Sequence, residues 1–273
     1  LASPNIGSRA WVYRQYDHVV RDGSVVRPGQ ADAAVVRVFC EDGPRGIGKY
    51  LALSVDCNGR HVQLDPYQGA AMAVAECARN LACVGARALG LTDCLNFGSP
   101  EKPETMWRFS RSIDGIRDAC LALGVPVVSG NVSLYNETDG QPILPTPTVA
   151  IVGQLARIED LVPMGFAPDR RLALLGAPAR GALGGSEWLT MKVGEVTGEA
   201  VGIDLKAEAQ LQVLVIELAQ RRLLQSAHDV SDGGLLVCAA ESCIAGGVGC
   251  RLSLALSPGR ELAKLWSEEP SRV

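Results

Sequence analysis

The sequence predicts an α/β protein with two domains. The chain has 273 residues, whereas a single domain typically contains roughly 100–200. Hydrophobic residues make up 47% of the chain, which is enough for a sizeable core. Thirty glycines and only 5% aromatic residues favour tight turns and packing of small side chains. Short apolar runs alternate with helical patterns over residues 1–160, and this alternation is typical of an α/β domain rather than a β-sandwich.

Two strands and a helix begin the first domain. Residues 33–38 and 50–55 are apolar runs separated by a Gly-rich turn, and they predict two strands. Asp65-Pro66 is a helix start signal, and the small residues that follow predict a helix over residues 67–85.

A second strand–helix–strand unit follows. Residues 89–92 predict a short strand, and residues 93–103 predict a loop. Residues 104–123 predict an amphipathic helix, because apolar residues recur every three or four positions, at Met106, Phe109, Ile113, Ile116, Cys120 and Leu123. Strands are predicted over residues 125–128 and 148–153.

The proline-punctuated residues 159–170 mark a domain boundary, so we expect domains over residues 1–160 and 161–273. The second domain is expected to contain a strand, two helices and a further strand, over residues 171–176, 206–225, 235–245 and 249–256. The chain does not begin with Met, and residues 271–273 resemble the start of a strand. We therefore expect a piece of a longer polypeptide with a truncated second domain.

Charge and cysteine content exclude several classes of function. The net charge is −4 and there is no long basic run, which argues against nucleic acid as a partner. No apolar stretch approaches the ~20 residues of a membrane span, and the first residues do not resemble a signal peptide. The nine cysteines lack Cys-x-x-Cys pairs and zinc spacing. Their odd number indicates free thiols in the cytoplasm, most of them expected in the core.

Residues 129–138 are the most informative segment. The predicted strand over residues 125–128 runs into the small residues Ser129-Gly130-Asn131, which predict a turn. Such a turn can bring backbone amides and side-chain oxygens to a phosphate or to Mg²⁺. Four further polar residues follow, at Ser133, Tyr135, Asn136 and Glu137. The alternative is an ordinary exit from a strand into a loop.

Several carboxylates are further candidates. Glu76 and Asn80 lie four residues apart among small apolar neighbours, so they share one helix face. That face is either exposed to solvent or supplies two oxygen ligands for Mg²⁺. Asp32, Asp56 and Asp93 flank predicted strands, and each is either a turn residue or a ligand.

Residues 228–234 combine two carboxylates, a hydroxyl and two glycines before a predicted helix. This composition suits phosphate or metal binding, but Ser231 or Asp232 could equally cap the helix. Residues 181–187 predict a loop that enters a helix. The sequence contains no Gly-x-Ser-x-Gly elbow, no Walker A motif and no dinucleotide fingerprint.

Taken together and in this order, these segments resemble the second half of phosphoribosylformylglycinamidine synthases of the small-subunit form. The segments that carry the resemblance are residues 66–70, 75–80, 92–98, 99–103, 129–137, 184–187 and 228–234. The last of these, His-Asp-Val-Ser-Asp-Gly-Gly, is shared across the PurM-like superfamily, which includes aminoimidazole ribonucleotide synthetase and selenophosphate synthetase. The resemblance implies a PurM-like N-terminal α/β domain followed by a PurM-like C-terminal α+β domain.

The resemblance also implies an ATP-dependent ligase of purine biosynthesis. In this family the formamide oxygen of formylglycinamide ribonucleotide is phosphorylated, and ammonia from a glutaminase then displaces phosphate. Carried onto this chain, Asp93 and Gly130 are expected to contact ATP, Asn131 to bind Mg²⁺ and Ser133 to contact substrate. A second nucleotide site, for ATP or ADP with Mg²⁺, is expected at Asp32, Glu76, Asn80, Asp229 and Ser231.

The family's catalytic histidine belongs to the first half of the protein, so no catalytic residue is assigned here and the chain is expected to be inactive alone. The implied partners are the N-terminal half of the same polypeptide, a glutaminase subunit and a small bridging subunit, with a homodimer as an alternative pairing. Two other functions stay open: another PurM-like enzyme, such as a selenophosphate synthetase or thiamine phosphate kinase, and a non-catalytic nucleotide-binding scaffold.

Overall fold

The computed structural model describes residues 1–40, 46–254 and 261–273. Within these ranges, a mixed six-stranded sheet has the strand order β1-β2-β3-β8-β4-β5, and its only parallel neighbours are β4 and β5. Its strands are β1 (Ser24–Val26), β2 (Ala34–Phe39), β3 (Ile47–Asp56), β4 (Arg87–Asn96), β5 (Val127–Ser133) and β8 (Thr146–Leu155). A small hairpin joins β6 (Glu137–Thr138) to β7 (Gln141–Pro142). The helices are α1 (Ala10–Tyr13), α2 (Gly59–Leu64), α3 (Pro66–Cys83), α4 (Pro103–Leu123), α5 (Glu187–Val193), α6 (Leu205–Gln220), α7 (Gly234–Gly246) and α8 (Glu261–Trp266).

Helix α3 is the centre of the first core and confirms the predicted helix over 67–85. The Asp65 side chain caps it by accepting hydrogen bonds from the N–H groups of Tyr67 and Gln68. Pro66 occupies the first turn, where no N–H is needed. Its small residues pack tightly on the sheet and on α4. At Gly115 of α4, an added Cβ would lie 2.2 Å from the carbonyl oxygen of Tyr67, so this helix crossing requires glycine.

One face of the sheet is covered and the other is open. Burial alternates along β8, so Val149, Ile151 and Leu155 enter the core with α3. On the opposite face, Leu53 of β3 lies directly across from Val152 of β8, and both are exposed.

The structure corrects the predicted limits of β4 and β5. β4 extends well beyond residues 89–92, and it contains Asp93, which was predicted to lie in a loop. Ser129-Gly130-Asn131 is not a turn, because all three residues lie inside β5. The reason is strand pairing: Asp93 pairs with Gly130 on one side and with Val149 on the other, so the extended backbone continues through the polar residues.

The helices of the second unit match their predictions better than its strands. α6 and α7 confirm the helices predicted over 206–225 and 235–245, although α6 ends five residues earlier, at Gln220. The strand predicted over 171–176 is wrong, since only an isolated bridge links Gly176 to Arg272. Residues 249–254 are not a strand either, and residues 255–256 lie outside the described residues.

Two further predictions concern the cysteines and the helices. All nine cysteines are free thiols, as predicted, but only four are buried, so the prediction that most belong to the core is wrong. None of the helices in the described ranges combines the length and the apolar character that crossing a bilayer requires.

Candidate functional site

The parallel pair β4–β5 brings together four of the predicted site residues. Asp93 lies opposite Gly130, and Asn131 follows Gly130 along β5. Ser133 ends the strand opposite Asn96. Because β5 is the edge strand and most of it is exposed, these groups lie at one side of the sheet, with Asp93 and Gly130 on one face and Asn131 and Ser133 on the other. We call Asp93, Gly130, Asn131 and Ser133 the β4–β5 wall.

Gly130 leaves room for the carboxylate of Asp93. A Cβ at position 130 would lie 2.3 Å from Asp93 Oδ1, so any larger residue would displace the carboxylate. Desolvation by the surrounding sheet raises the pKa of Asp93. Within the described residues, no hydrogen bond or ion pair engages this carboxylate, and it remains available to a ligand.

The polar turn after β5 is mainly structural. The Asn136 side chain donates hydrogen bonds to the carbonyl oxygens of Phe97 (3.0 Å) and Ser133 (2.9 Å). Glu137 accepts hydrogen bonds from Lys102 Nζ (2.8 Å) and from the Ser99 N–H (2.9 Å). The Lys102 bond, with the Ser99 bond, lowers the pKa of Glu137. Asn136 and Glu137 therefore hold the turn, and the Ser133 hydroxyl itself lies 3.3 Å from the Asn136 side-chain amide. Tyr135 is exposed to solvent.

A second cluster joins the two halves of the chain around Asp32. Its carboxylate contacts His228 Nδ1 (2.7 Å) and accepts a hydrogen bond from the Asp229 N–H (2.7 Å). His228 Nε2 lies 3.1 Å from Glu241. Burial lowers the pKa of His228, but the charges and hydrogen bonds of Asp32 and Glu241 outweigh it and raise the pKa to about 10. His228 is therefore an imidazolium at neutral pH.

Arg79 of α3 lies at the centre of a buried ion network. It is 0% exposed, and it pairs with Asp229, with Glu208 at 2.9 Å and with Glu76 at 3.7 Å. Asp56, at the end of β3, belongs to the same cluster. Burial raises the pKa values of Asp56 and Glu76, and repulsion from neighbouring carboxylates, including Asp229, adds to the effect. The cluster has more carboxylates than cations.

The five residues predicted for the second nucleotide site are not equally engaged. Asp32, Glu76 and Asp229 meet around Arg79 and His228. Asn80 lies one turn beyond Glu76, and Ser231 lies two residues beyond Asp229; among the described residues, no side-chain hydrogen bond joins either one to the cluster. Across residues 1–40, 46–254 and 261–273, no group of three or more His, Cys, Asp or Glu side chains is arranged to hold a metal ion.

A third ionic cluster, around Arg60 of α2, was not predicted. Arg60 contacts Asp232 at 2.9 Å, Glu187 at 3.3 Å and Glu268 at 3.4 Å, and its Nε donates to the Gly185 carbonyl. No sequence signal identifies these partners, because they lie more than a hundred residues from Arg60.

Asp232 therefore pairs with Arg60 instead of capping α7. The N-cap of that helix is Gly233, with no side-chain cap. The capping alternative for Ser231 and Asp232 is wrong.

A cavity of about 390 Å³ opens beside the Arg60 cluster. Its lining includes Asn5, Arg9, Cys57, Asn58, Arg60 and Asp232. Cys57 directly follows Asp56, so the cavity adjoins the carboxylate-rich cluster around Arg79. The volume lies within the ~300–1,000 Å³ range of small-molecule sites.

Comparison with known proteins identifies the class. Residues 30–155 match the N-terminal domain of AIR synthase related proteins, and residues 167–272 match the C-terminal domain. The chain therefore belongs to the AIR synthase related, or PurM-like, family, and the predicted fold class is confirmed.

Within this family its relatives include PurL subunits of phosphoribosylformylglycinamidine synthase, so the predicted resemblance is confirmed. The chain is 53% identical to the subunit from Anaeromyxobacter sp. (strain Fw109-5) over 248 residues, which are 91% of this chain and 32% of that protein. It is 49% identical to the Moorella thermoacetica subunit over 273 residues, 100% of this chain and 36% of that protein. The chain thus spans about a third of the length of these curated relatives.

Solved structures of PurL proteins are also similar to this chain. T. maritima PurL complexed with ATP has a TM-score of 0.57 and 26% identity, over 79% of this chain and 30% of that one. The structure of PurLQS from Thermotoga maritima has a TM-score of 0.65 over 97% of this chain and 41% of that one, and at 23% identity it supports the fold alone.

Proposed function

We propose that this chain is the C-terminal half of a phosphoribosylformylglycinamidine synthase. In the assembled enzyme it takes part in the ATP-dependent conversion of formylglycinamide ribonucleotide and ammonia to the amidine, a step of purine biosynthesis. The relatives named above are subunits of that synthase, and one PurL structure is a complex with ATP. The observation that carries the proposal is the unengaged Asp93 carboxylate held against Gly130 on the adjoining strand.

The β4–β5 wall would bind nucleotide and substrate. Asp93 and Gly130 would contact ATP, because Asp93 presents an unengaged carboxylate and Gly130 leaves room for it. Asn131 would supply an oxygen ligand to Mg²⁺, and Ser133 would hydrogen-bond to the substrate. When bound, ATP supplies the phosphoryl group that activates the formamide oxygen. The role of this wall is positioning and charge neutralisation, while the catalytic histidine is expected in the other half.

A second nucleotide, ADP or ATP with Mg²⁺, would bind at the carboxylate-rich cluster. Asp32, Glu76, Asn80 and Asp229 would face the metal, with Ser231 nearby. Two observations support this proposal: the excess of buried carboxylates around Arg79, and the cavity that adjoins Asp56 and Cys57. No reaction is assigned to this site, whose role would be structural.

The open sheet face supports pairing with another half of the same fold. Leu53, Val55 and Val152 form an exposed apolar patch on the central strands β3 and β8. We propose the N-terminal half of the synthase as its partner, with a homodimer as the alternative. Glutaminase and small bridging subunits would complete the complex in the cytoplasm. The domains of this half would meet near residues 160 and 161.

Reconstitution tests the proposal. The purified chain, given formylglycinamide ribonucleotide, ATP and ammonia, is expected to form no amidine, and addition of the N-terminal half is expected to restore turnover. Asp93→Asn should abolish that restored activity while the two halves still associate. Amidine formation by the chain alone would contradict the half-enzyme proposal, and activity with selenide or thiamine phosphate would favour a different PurM-like enzyme. Mg²⁺-dependent retention of ADP without any restored turnover would favour a scaffold.

A further inference from the structure

Tyr135 has a strained backbone and an exposed ring. It lies in the turn after β5 with φ at 61°, in the left-handed region that disfavours bulky side chains. Of the non-glycine residues with positive φ in the described ranges, it alone is aromatic. Tyr135 is 61% exposed to solvent. Strain of this kind persists where the surroundings enforce it, and it is frequent in ligand-binding segments.

The surroundings of Tyr135 fix its backbone and leave its ring free. The Tyr135 N–H donates to the Gly98 carbonyl (3.0 Å), and its own carbonyl accepts from the Glu137 N–H (2.9 Å). Gly98 is itself confined, since a Cβ there would lie 2.8 Å from Pro142. The only hydrogen bond from the phenol within the described residues is a long one of 3.4 Å to Glu101. The fold therefore stabilises an unfavourable backbone conformation at Tyr135 and leaves its aromatic ring exposed to solvent.

The position of Tyr135 indicates which ligand its ring meets. Along β5, Gly130 and Asn131 come first, Ser133 ends the strand, and Tyr135 follows two residues later. On the proposed function, on which this inference rests, the nucleotide lies at Gly130 and the substrate at Ser133. Tyr135 is thus on the substrate side of the β4–β5 wall.

We propose that Tyr135 is a substrate-contacting residue whose ring packs against the ribosyl amide of the phosphorylated substrate and makes no contact with ATP. An aromatic ring covers a sugar or a planar amide with little loss of side-chain freedom, because the fixed turn has already oriented it. The left-handed backbone points the ring outward at the end of β5. This accounts for a strained tyrosine at a position where glycine or asparagine would be easier to accommodate.

Three variants of the assembled synthase test the proposal. Tyr135→Asn removes the ring but suits a left-handed backbone, so its melting temperature should not fall. Its KM and Kd for formylglycinamide ribonucleotide should rise about 3- to 10-fold, the range for loss of one aromatic contact, with kcat and the KM for ATP unchanged. Tyr135→Phe, which keeps the ring, should bind substrate like the wild type. Tyr16→Asn is the matched control, because Tyr16 is another exposed tyrosine.

The outcomes separate this inference from the proposed function. Wild-type turnover with an unchanged substrate KM in Tyr135→Asn would overturn the role of Tyr135 alone. A lower melting temperature or weaker association of the halves in Tyr135→Asn, without a change in substrate KM, would assign the ring to folding or to a protein interface and also overturn it. Failure of the wild-type assembly to turn over or bind the ribonucleotide would refute the proposed function, and the inference with it.

Discussion

Replacement of Arg79 by Met should cause a large loss of stability. Arg79 and Glu208 are both 0% exposed and Asp229 is 2% exposed, so the network is shielded from water. Met fills much of the volume of the arginine stem and suits a helix, so packing and helix propensity change little. The dominant effect is that two buried carboxylates lose their cation. Removing one partner of a buried pair costs about 3–5 kcal/mol, and we expect a loss in this range.

Urea unfolding of the purified chain, followed by circular dichroism, measures this loss as a shift in the midpoint at constant slope. The matched control is Arg117→Met on α4, whose exposed pairs with Asp114 and Asp118 should contribute nothing measurable. Adding Glu208→Gln to Arg79→Met removes one unpaired charge and should recover part of the loss, which a double-mutant cycle quantifies.

The pH dependence gives a further check on Arg79→Met. Burial raises the pKa of Asp229 and Arg79 lowers it, so the loss of Arg79 should raise this pKa further and make the ionised carboxylate oppose folding more strongly at neutral pH. The deficit should therefore shrink as the pH falls from 7 towards the unfolded value of about 4. A loss below about 1 kcal/mol at pH 7, or a deficit that does not change with pH, would refute the reasoning.

Three other predictions concern single residues. Gly130→Ala should push the Asp93 carboxylate aside and lower turnover of the reconstituted synthase by on the order of 10²-fold, while the melting temperature stays within a few degrees; equal kinetics would contradict the proposed wall. Because the folded pKa of His228 is raised to about 10, the stability that its charge contributes should be complete below about pH 6.5 and be lost as the pH rises towards 10. His228→Gln should abolish this dependence of the melting temperature on pH, and an unchanged dependence would disprove the charged state. Gly115→Ala should destabilise the chain by about 1–3 kcal/mol in urea unfolding, since its methyl group meets the Tyr67 carbonyl, and a neutral effect would mean that the α3–α4 crossing relaxes freely.

The ionic clusters suggest how the two units are held together. Arg60 and Arg79 come from helices of the first unit, and their carboxylate partners come mainly from residues beyond 184. For His228 the arrangement is the opposite, because the cation lies in the second unit and its carboxylate partner, Asp32, lies in the first. Such buried pairs contribute less to net stability than to a defined geometry, since desolvation offsets much of the attraction. The β4–β5 wall and the carboxylate-rich cluster are thereby carried on one connected scaffold.

The helices were predictable because their signals are local. Asp65 with Pro66 begins α3 through capping within one turn, and Gly124 ends α4 in a left-handed conformation with φ at 67°. The limits of the strands, in contrast, depend on pairing with neighbouring strands. Polar residues such as Asp93 and Asn131 have low strand propensity, yet pairing across β8, β4 and β5 keeps them extended. Propensity at 129–131 indicated a turn, and long-range hydrogen bonding overrode it.

The sequence by itself determined the family, the two main helices and the residue types of both candidate sites, because motif order and capping signals are written in contiguous residues. Only the tertiary structure decided which of these groups meet. It set Asp93 against Gly130, gave Asp232 to Arg60 instead of the α7 cap, and turned the ring of Tyr135 outward. The physical reason is that strand register and buried ion pairs depend on residues far apart in the chain, whose contacts exist only after the domains have packed.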